Sequence, residues 1–168
     1  GNIIPVTDVT VLSSLDICGI EYSISLNSLI IGYRDGNVDI IGADGVVRNV
    51  HLTGNEGYPG MSNIRNLISP SYTDDIIICN DTGDSVIDGK TGKVSGEAVF
   101  GRPVDALFMT GKRAVLLTEG KIYLCNEKYP DSFDGLDLVS NISSVLWAAP
   151  LDERSFAYIT GSPATTVQ

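Results

Sequence analysis

Apolar residues along this chain come in short runs broken by polar turns rather than in long amphipathic stretches. Residues 29–50, LIIGYRDGNVDIIGADGVVRNV, hold three such runs separated by Asp35-Gly36-Asn37 and Asp44-Gly45. Asp-Gly between alternating apolar residues is a strong hairpin signal, because the tight turns that match strand twist need positive φ. The stretch predicts a three-stranded antiparallel meander.

The same grammar recurs along the chain. First strands begin at Ile20, Ile64, Val104 and Ile142, at intervals of 44, 40 and 38 residues. Each is followed by a more continuously apolar second strand: 29–33 (LIIGY), 76–79 (IIIC), 114–117 (AVLL) and 156–159 (FAYI). Third strands are predicted over 38–41, 85–87 and 122–125, and more polar fourth strands over 46–52, 94–100 and 136–139. A strand apolar at every position is buried on both faces. Polarity that rises from first to fourth strand fits a sheet whose inner edge lies at an axis and whose outer edge meets water. A meander repeating every forty or so residues is a propeller blade. The expected fold is therefore an all-β β-propeller of about four blades of four-stranded antiparallel meander. The blades fall at about 20–60, 61–101, 102–140 and an incomplete 141–168, and 1–19 contributes one orphan strand over 8–15.

In two places the residues resemble WD40-type β-propellers. Tyr33-Arg34-Asp35-Gly36-Asn37-Val38-Asp39-Ile40-Ile41 looks like the turn and third strand of such a repeat, and 86–93 (VIDGKTGK) like the end of a third strand turning into a fourth. The resemblance spans about residues 20–168. No Trp-Asp dipeptide occurs, and Ile41-Gly42 and Cys125-Asn126 stand where it would be. A quinoprotein-like propeller is the other subclass these repeats admit. Closure by the orphan strand would make a rare four-bladed ring. The expectation is instead a contiguous part of a larger propeller, finished by further chain or by another subunit.

Composition narrows the partners. The 168 residues carry 11 Lys and Arg against 21 Asp and Glu, a formal charge of −10. Such an excess repels phosphate backbones and anionic lipid, so direct nucleic-acid binding and membrane insertion are not expected. A basic protein partner is compatible with it. The cysteines, Cys18, Cys79 and Cys125, form no CxxC pair and are expected as buried free thiols. Their odd number and the lack of a charged-then-apolar leader predict a cytoplasmic or nuclear location. The chain begins without Met, as a processed or excised piece would.

Chemistry is sparse. The single histidine, His51, sits on a predicted outer strand, and the Asp-rich turns at 81–84 and 131–135 lack the closing Glu of a calcium loop, so no metal is expected. There is no Gly-x-Ser-x-Gly nucleophile and no GxxxxGK[ST] phosphate loop, hence no catalytic residues and no cofactor. Trp147 follows Val145-Leu146 and is expected in the core. What remains is a rim made of the loops entering first strands and the turns between second and third strands. It carries Tyr58, Arg65, Arg102 and Arg34, with Asp35, Asp81 and Glu119, and Tyr and Arg are the residues that anchor interfaces. A second Tyr-Pro loop, 126–137, lies on the opposite rim and is rich in Asp. The functional expectation is a non-enzymatic protein-interaction scaffold within a multi-subunit complex. An enzymatic or ligand-binding propeller of quinoprotein or glycosidase type is the alternative, as is a structural half-ring completed by another subunit.

Overall fold

The computed structural model describes residues 12–52, 63–126, 129–140, 142 and 144–161, and these fold as strands and turns without a helix. None of the described residues therefore forms a helix long and apolar enough to cross a membrane. The first sheet is β1 (Ile17–Ser23), β2 (Ser28–Tyr33), β3 (Asn37–Gly42) and β4 (Val47–His51), antiparallel in that order. The second is β5 (Ile64–Ile68), β6 (Asp75–Asn80), β7 (Gly83–Asp88) and β8 (Lys93–Val99). The third is β9 (Ala106–Thr110), β10 (Arg113–Thr118), β11 (Lys121–Asn126) and β12 (Asp137–Leu138), and β13 (Val145–Pro150) pairs with β14 (Phe156–Thr160) in a fourth. Neighbouring sheets meet through their first strands, β1 against β5, β5 against β9 and β9 against β13. These are stacked propeller blades, and the chain is all-β as its periodicity predicts.

Turn chemistry sets the spacing. Gly36 and Gly45 both take positive φ (86° and 80°), and Asp35 and Asp44 each accept the amide two residues on, from Asn37 and Val46. Packing explains the apolar second strands. In β6, Ile76 and Ile78 join a core with Ile30, Val38 and Ile40 of the first sheet, whereas Ile77 and Cys79 join one with Leu107 and Leu116 of the third. Side chains alternate across a strand, so one run of four apolar residues serves two interfaces.

Several expectations shift. Of the orphan strand at 8–15, residues 8–11 lie outside the described part, and 12–15 run as bends against the first sheet. Cys79 is buried, but Cys18 and Cys125 are half-buried, the first in a bulge at the start of β1 and the second on the third strand of its sheet. Trp147 is 44% exposed rather than in the core. A bulge between Val145 and Trp147 shifts the register there, and no described sheet covers that face of β13.

The first sheet is secured by a buried carboxylate that its sequence context, an Asp inside an apolar strand, does not advertise. Asp39 is fully buried and accepts four hydrogen bonds: from Ser13 N (2.8 Å), Ser13 Oγ (2.5 Å), Tyr33 Oη (2.7 Å) and Asn49 Nδ2 (2.6 Å). Burial pushes its pKa up, but the bonds from Ser13, Tyr33 and Asn49 outweigh burial and hold it below the ordinary carboxylate value. The same environment lifts the Tyr33 phenol well above its usual range, by burial first and then by the Asp39 bond.

A carboxyl with a depressed folded pKa adds stability above its unfolded pKa of about 3.9 and loses it as pH falls through the lower folded value. Asp39→Asn is therefore expected to destabilise the domain at pH 7 by about 1.5–3 kcal/mol, the scale of hydrogen bonds to a charged group. The gap between variant and parent in urea melts should close below about pH 4; a gap independent of pH would show that the carboxylate charge plays no part.

Candidate functional site

Loops that precede first strands and turns that join second to third strands gather on one rim, and in each complete sheet an ion pair ties the two together. In the first sheet Arg34, in the β2–β3 turn, meets Asp16, which precedes β1, at 3.3 Å. In the second the polarity reverses, with Arg65 on β5 and Asp81 in the β6–β7 turn at 3.1 Å. In the third, Arg102 before β9 meets Glu119 in the β10–β11 turn at 3.5 Å. Of the rim residues singled out from sequence, Arg65 meets Asp81 and Arg102 meets Glu119, whereas Arg34 pairs with Asp16 and Asp35 joins no ion pair among the described residues.

Arg65 does more than close its own sheet. It is the extra residue of a bulge, since Ile64 pairs with Asn80 and Asn66 with Cys79. A bulge re-aims a side chain out of strand alternation. Here the guanidinium reaches the next sheet, donating from Nε (2.9 Å) and Nη2 (2.7 Å) to Asp105 Oδ1, while Asn66 Nδ2 donates to the Asp105 carbonyl at 2.9 Å. Bonds to Asp105 and then Asp81 raise its already high pKa, so the charge is permanent. Asn63 Nδ2 completes the cluster by donating to Asp81 Oδ2 at 3.0 Å.

Arg102 stands 4.2 Å above the Phe133 ring, whose edge contacts Tyr123 and Phe100. Its position is set by a cation–π contact as well as by charge. Arg34 is the most exposed of the three, at 58%. Tyr58, in the long loop between the first two sheets, lies outside the described residues. Asp16, Asp105 and Phe133 were not picked out from sequence. The first two had a signal, because each is an acid immediately before a first strand; Phe133 had none, as its ring meets Arg102 only through the packing of the third sheet.

A second feature lies on the axial side. First strands and their exits form a recess of about 380 Å³ lined by Tyr22, Ile24, Leu67, Pro70, Trp147 and Leu151, among others. His51, by contrast, is an exposed residue of β4 whose Nδ1 lies 2.6 Å from Asn37 Oδ1.

Comparison with known proteins fits this geometry. A family model described as the TSS9, PorZ, N-terminal beta-propeller domain matches residues 2–134. Among solved structures, PorZ of Porphyromonas gingivalis, described as an essential bacterial surface component of the type-IX secretion system, superposes with a TM-score of 0.73 at 24% identity over 89% of this chain. This chain spans 20% of that one. The β-propeller domain of Cps50 (Swd1) from Myceliophteria thermophila superposes at 0.54 with 20% identity, over 71% of this chain and 38% of that one. No curated protein matches by sequence. The propeller assignment holds at the level of the fold, and the expected cytoplasmic or nuclear location is overturned: the matching family is that of a bacterial surface component. An odd cysteine count says little about compartment, since all three thiols are unpaired in the fold.

The Arg65 cluster is half-exposed, so its contribution is discounted by solvent. Arg65→Ala is expected to cost at most about 1 kcal/mol. A double-mutant cycle with Asp105→Asn in urea should return a coupling of a few tenths of a kcal/mol up to about that limit; zero coupling would mean the two sheets are held by apolar contact alone.

Proposed function

This chain belongs to the PorZ N-terminal β-propeller family, and on that premise we propose that it is a non-catalytic interaction module of a bacterial surface assembly of the type-IX secretion kind. The match over residues 2–134 carries the reading. The rim supports it: three arginines are held at defined places by ion pairs that leave each side chain more than a third exposed. Pre-positioned arginines lose little freedom on binding, which favours a docking role. Exposed apolar residues flank the stack at both ends, Ile20, Tyr22 and Ile24 on one side and Leu146, Trp147 and Ile159 on the other. They support completion by further chain or another subunit, because exposed apolar patches of this kind mark contact surfaces.

On intact cells a tagged copy is expected to be cut by added protease and to co-purify with other envelope proteins. Arg34→Ala should reduce the co-purified material at least severalfold while leaving Tm nearly unchanged, since so exposed a turn residue contributes little to folding. Full protection from protease sinks the surface role; full recovery by the variant moves the docking face elsewhere.

The axial recess favours a second reading, a ligand site in which Trp147 and Tyr22 offer ring faces. Because Trp147 is the sole tryptophan, its fluorescence reports on that recess alone. Saturable quenching by an aromatic or sugar ligand, lost in Tyr22→Ala, is the expected sign of such a site, and a flat titration removes it.

A further inference from the structure

The partners of Asp39 make its burial tolerable; Asp84 is buried as deeply without them. It lies on β7, opposite Cys79 of β6 and Ala98 of β8. That register puts its side chain on the face of the second sheet that packs against the third, beside Ile77 and Val86. Only 1% of the residue is exposed, and its Oδ1 has no hydrogen-bond partner. An unpaired carboxylate at that depth is costly unless a proton or a cation joins it.

Asp84 borders a cavity of about 240 Å³ between the two sheets, whose lining also includes Asp75, Glu97, Val86, Tyr129 and Pro130. Asp75 heads β6 on the same face as Asp84 and accepts from Tyr129 Oη at 3.3 Å, whereas Glu97 of β8 pairs with Ser85, so its carboxylate lies on the other face and accepts from Ser85 Oγ at 3.2 Å. Among the described residues no lysine or arginine lines it. The charge of its described lining is all of one sign, while Val86, Pro130 and the Tyr129 ring supply apolar wall. The acids do not converge as a metal site would: no group of three or more His, Cys, Asp or Glu among the described residues could hold an ion. The volume falls below the roughly 300–1,000 Å³ of pockets for drug-sized molecules, so the occupant is the size of one side-chain end.

We propose that this cavity binds an organic cation on an aliphatic stem, the guanidinium or ammonium end of an arginine or lysine side chain presented by a basic polypeptide. Asp84 receives the charge, with Asp75 on the same face of the sheet beside it, Oδ1 of Asp84 gains the donor it lacks, and the stem lies along Val86, Pro130 and Tyr129. The site lies between the sheets and stands independently of whether the rim is a docking face.

Protonation follows from the same geometry. Burial first, and then the charge of Glu97, push the Asp84 pKa up to about 8, so the empty site holds a proton at neutral pH. The groups around it are Cys79 and Asp75 on β6, Glu97 on β8, and Tyr129 and Asp131 after β11. Asp75 is raised by burial, and the Tyr129 phenol is raised far above its usual range by burial and by Asp75. The Cys79 thiol is raised by burial and by Asp84. None of these groups is cationic. A bound ammonium or guanidinium stabilises the ionised Asp84 and expels its proton, so affinity rises with pH up to the pKa of the empty site.

The test is an NMR titration of the folded protein with N-acetyl-lysine methylamide, N-acetyl-arginine methylamide, putrescine and neutral n-butanol. Both capped amino acids are expected to give saturable shifts at the amides of Asp84, Gly96 and Tyr129, tighter at pH 8 than at pH 6. Asp84→Asn, which preserves the side-chain volume, should weaken them about tenfold or more, the scale of one hydrogen bond to a charged group. Asp75→Asn should weaken them less and serves as the second probe if Asp84→Asn does not fold. Equal shifts from n-butanol, no saturable shift from either capped amino acid, or unchanged affinity in the folded variants overturns the site. Putrescine binding more tightly than the capped amino acids overturns the polypeptide source in favour of a free polyamine.

Discussion

Burial of the second strand of each four-stranded sheet on both of its faces is the constraint from which the architecture follows. Ile76, Ile77, Ile78 and Cys79 are all fully buried, and their alternation divides them between two cores. No single four-stranded sheet can meet that demand, because an isolated sheet leaves one face in water. A flank must be supplied on each side, which is why sheets stack around an axis and why each blade depends on its neighbours. Sheets with a described neighbour on both sides bury their apolar strands. The outer face of β1 and much of β13 and β14, lacking one, keep isoleucine, tyrosine and tryptophan exposed.

Stacking in this way forces loops from separate sheets onto one rim, and the ion pairs there follow. Arg34–Asp16, Arg65–Asp81 and Arg102–Glu119 each join the start of a first strand to the turn after a second strand. They are too exposed to contribute much to stability. Their effect is to restrict where the guanidinium groups sit. Arg65 goes further and grips Asp105 of the neighbouring sheet because a bulge aims it there.

The two buried aspartates show how neighbours decide the meaning of a residue. Asp39 receives four donors and is depressed in pKa; Asp84, one sheet further on, has an unpartnered oxygen and is raised to about 8. Both follow turns in third strands, and both read from sequence as turn chemistry or as a polar position in an apolar run. The difference lies in what packs across from them. The segment around Ser13 and the side chains of Tyr33 and Asn49 converge on the first, whereas a cavity rimmed by other acids borders the second.

The amino-acid sequence alone determined the strands, the turns and their repetition. Hairpin signals such as Asp35-Gly36 and the apolar run 76–79 act through local geometry and period, and these depend only on near neighbours in the chain. The same holds for the rim, whose arginines occupy recurring places before first strands or within turns. Tertiary structure alone decided which acid each arginine meets, that a bulge turns Arg65 toward Asp105, that Trp147 stays half-exposed, and that Asp84 rather than Asp39 keeps an unpartnered oxygen. Those outcomes depend on residues as far as 54 positions apart meeting across separate sheets, and spacing along the chain carries no record of which side chains face one another once the sheets have stacked.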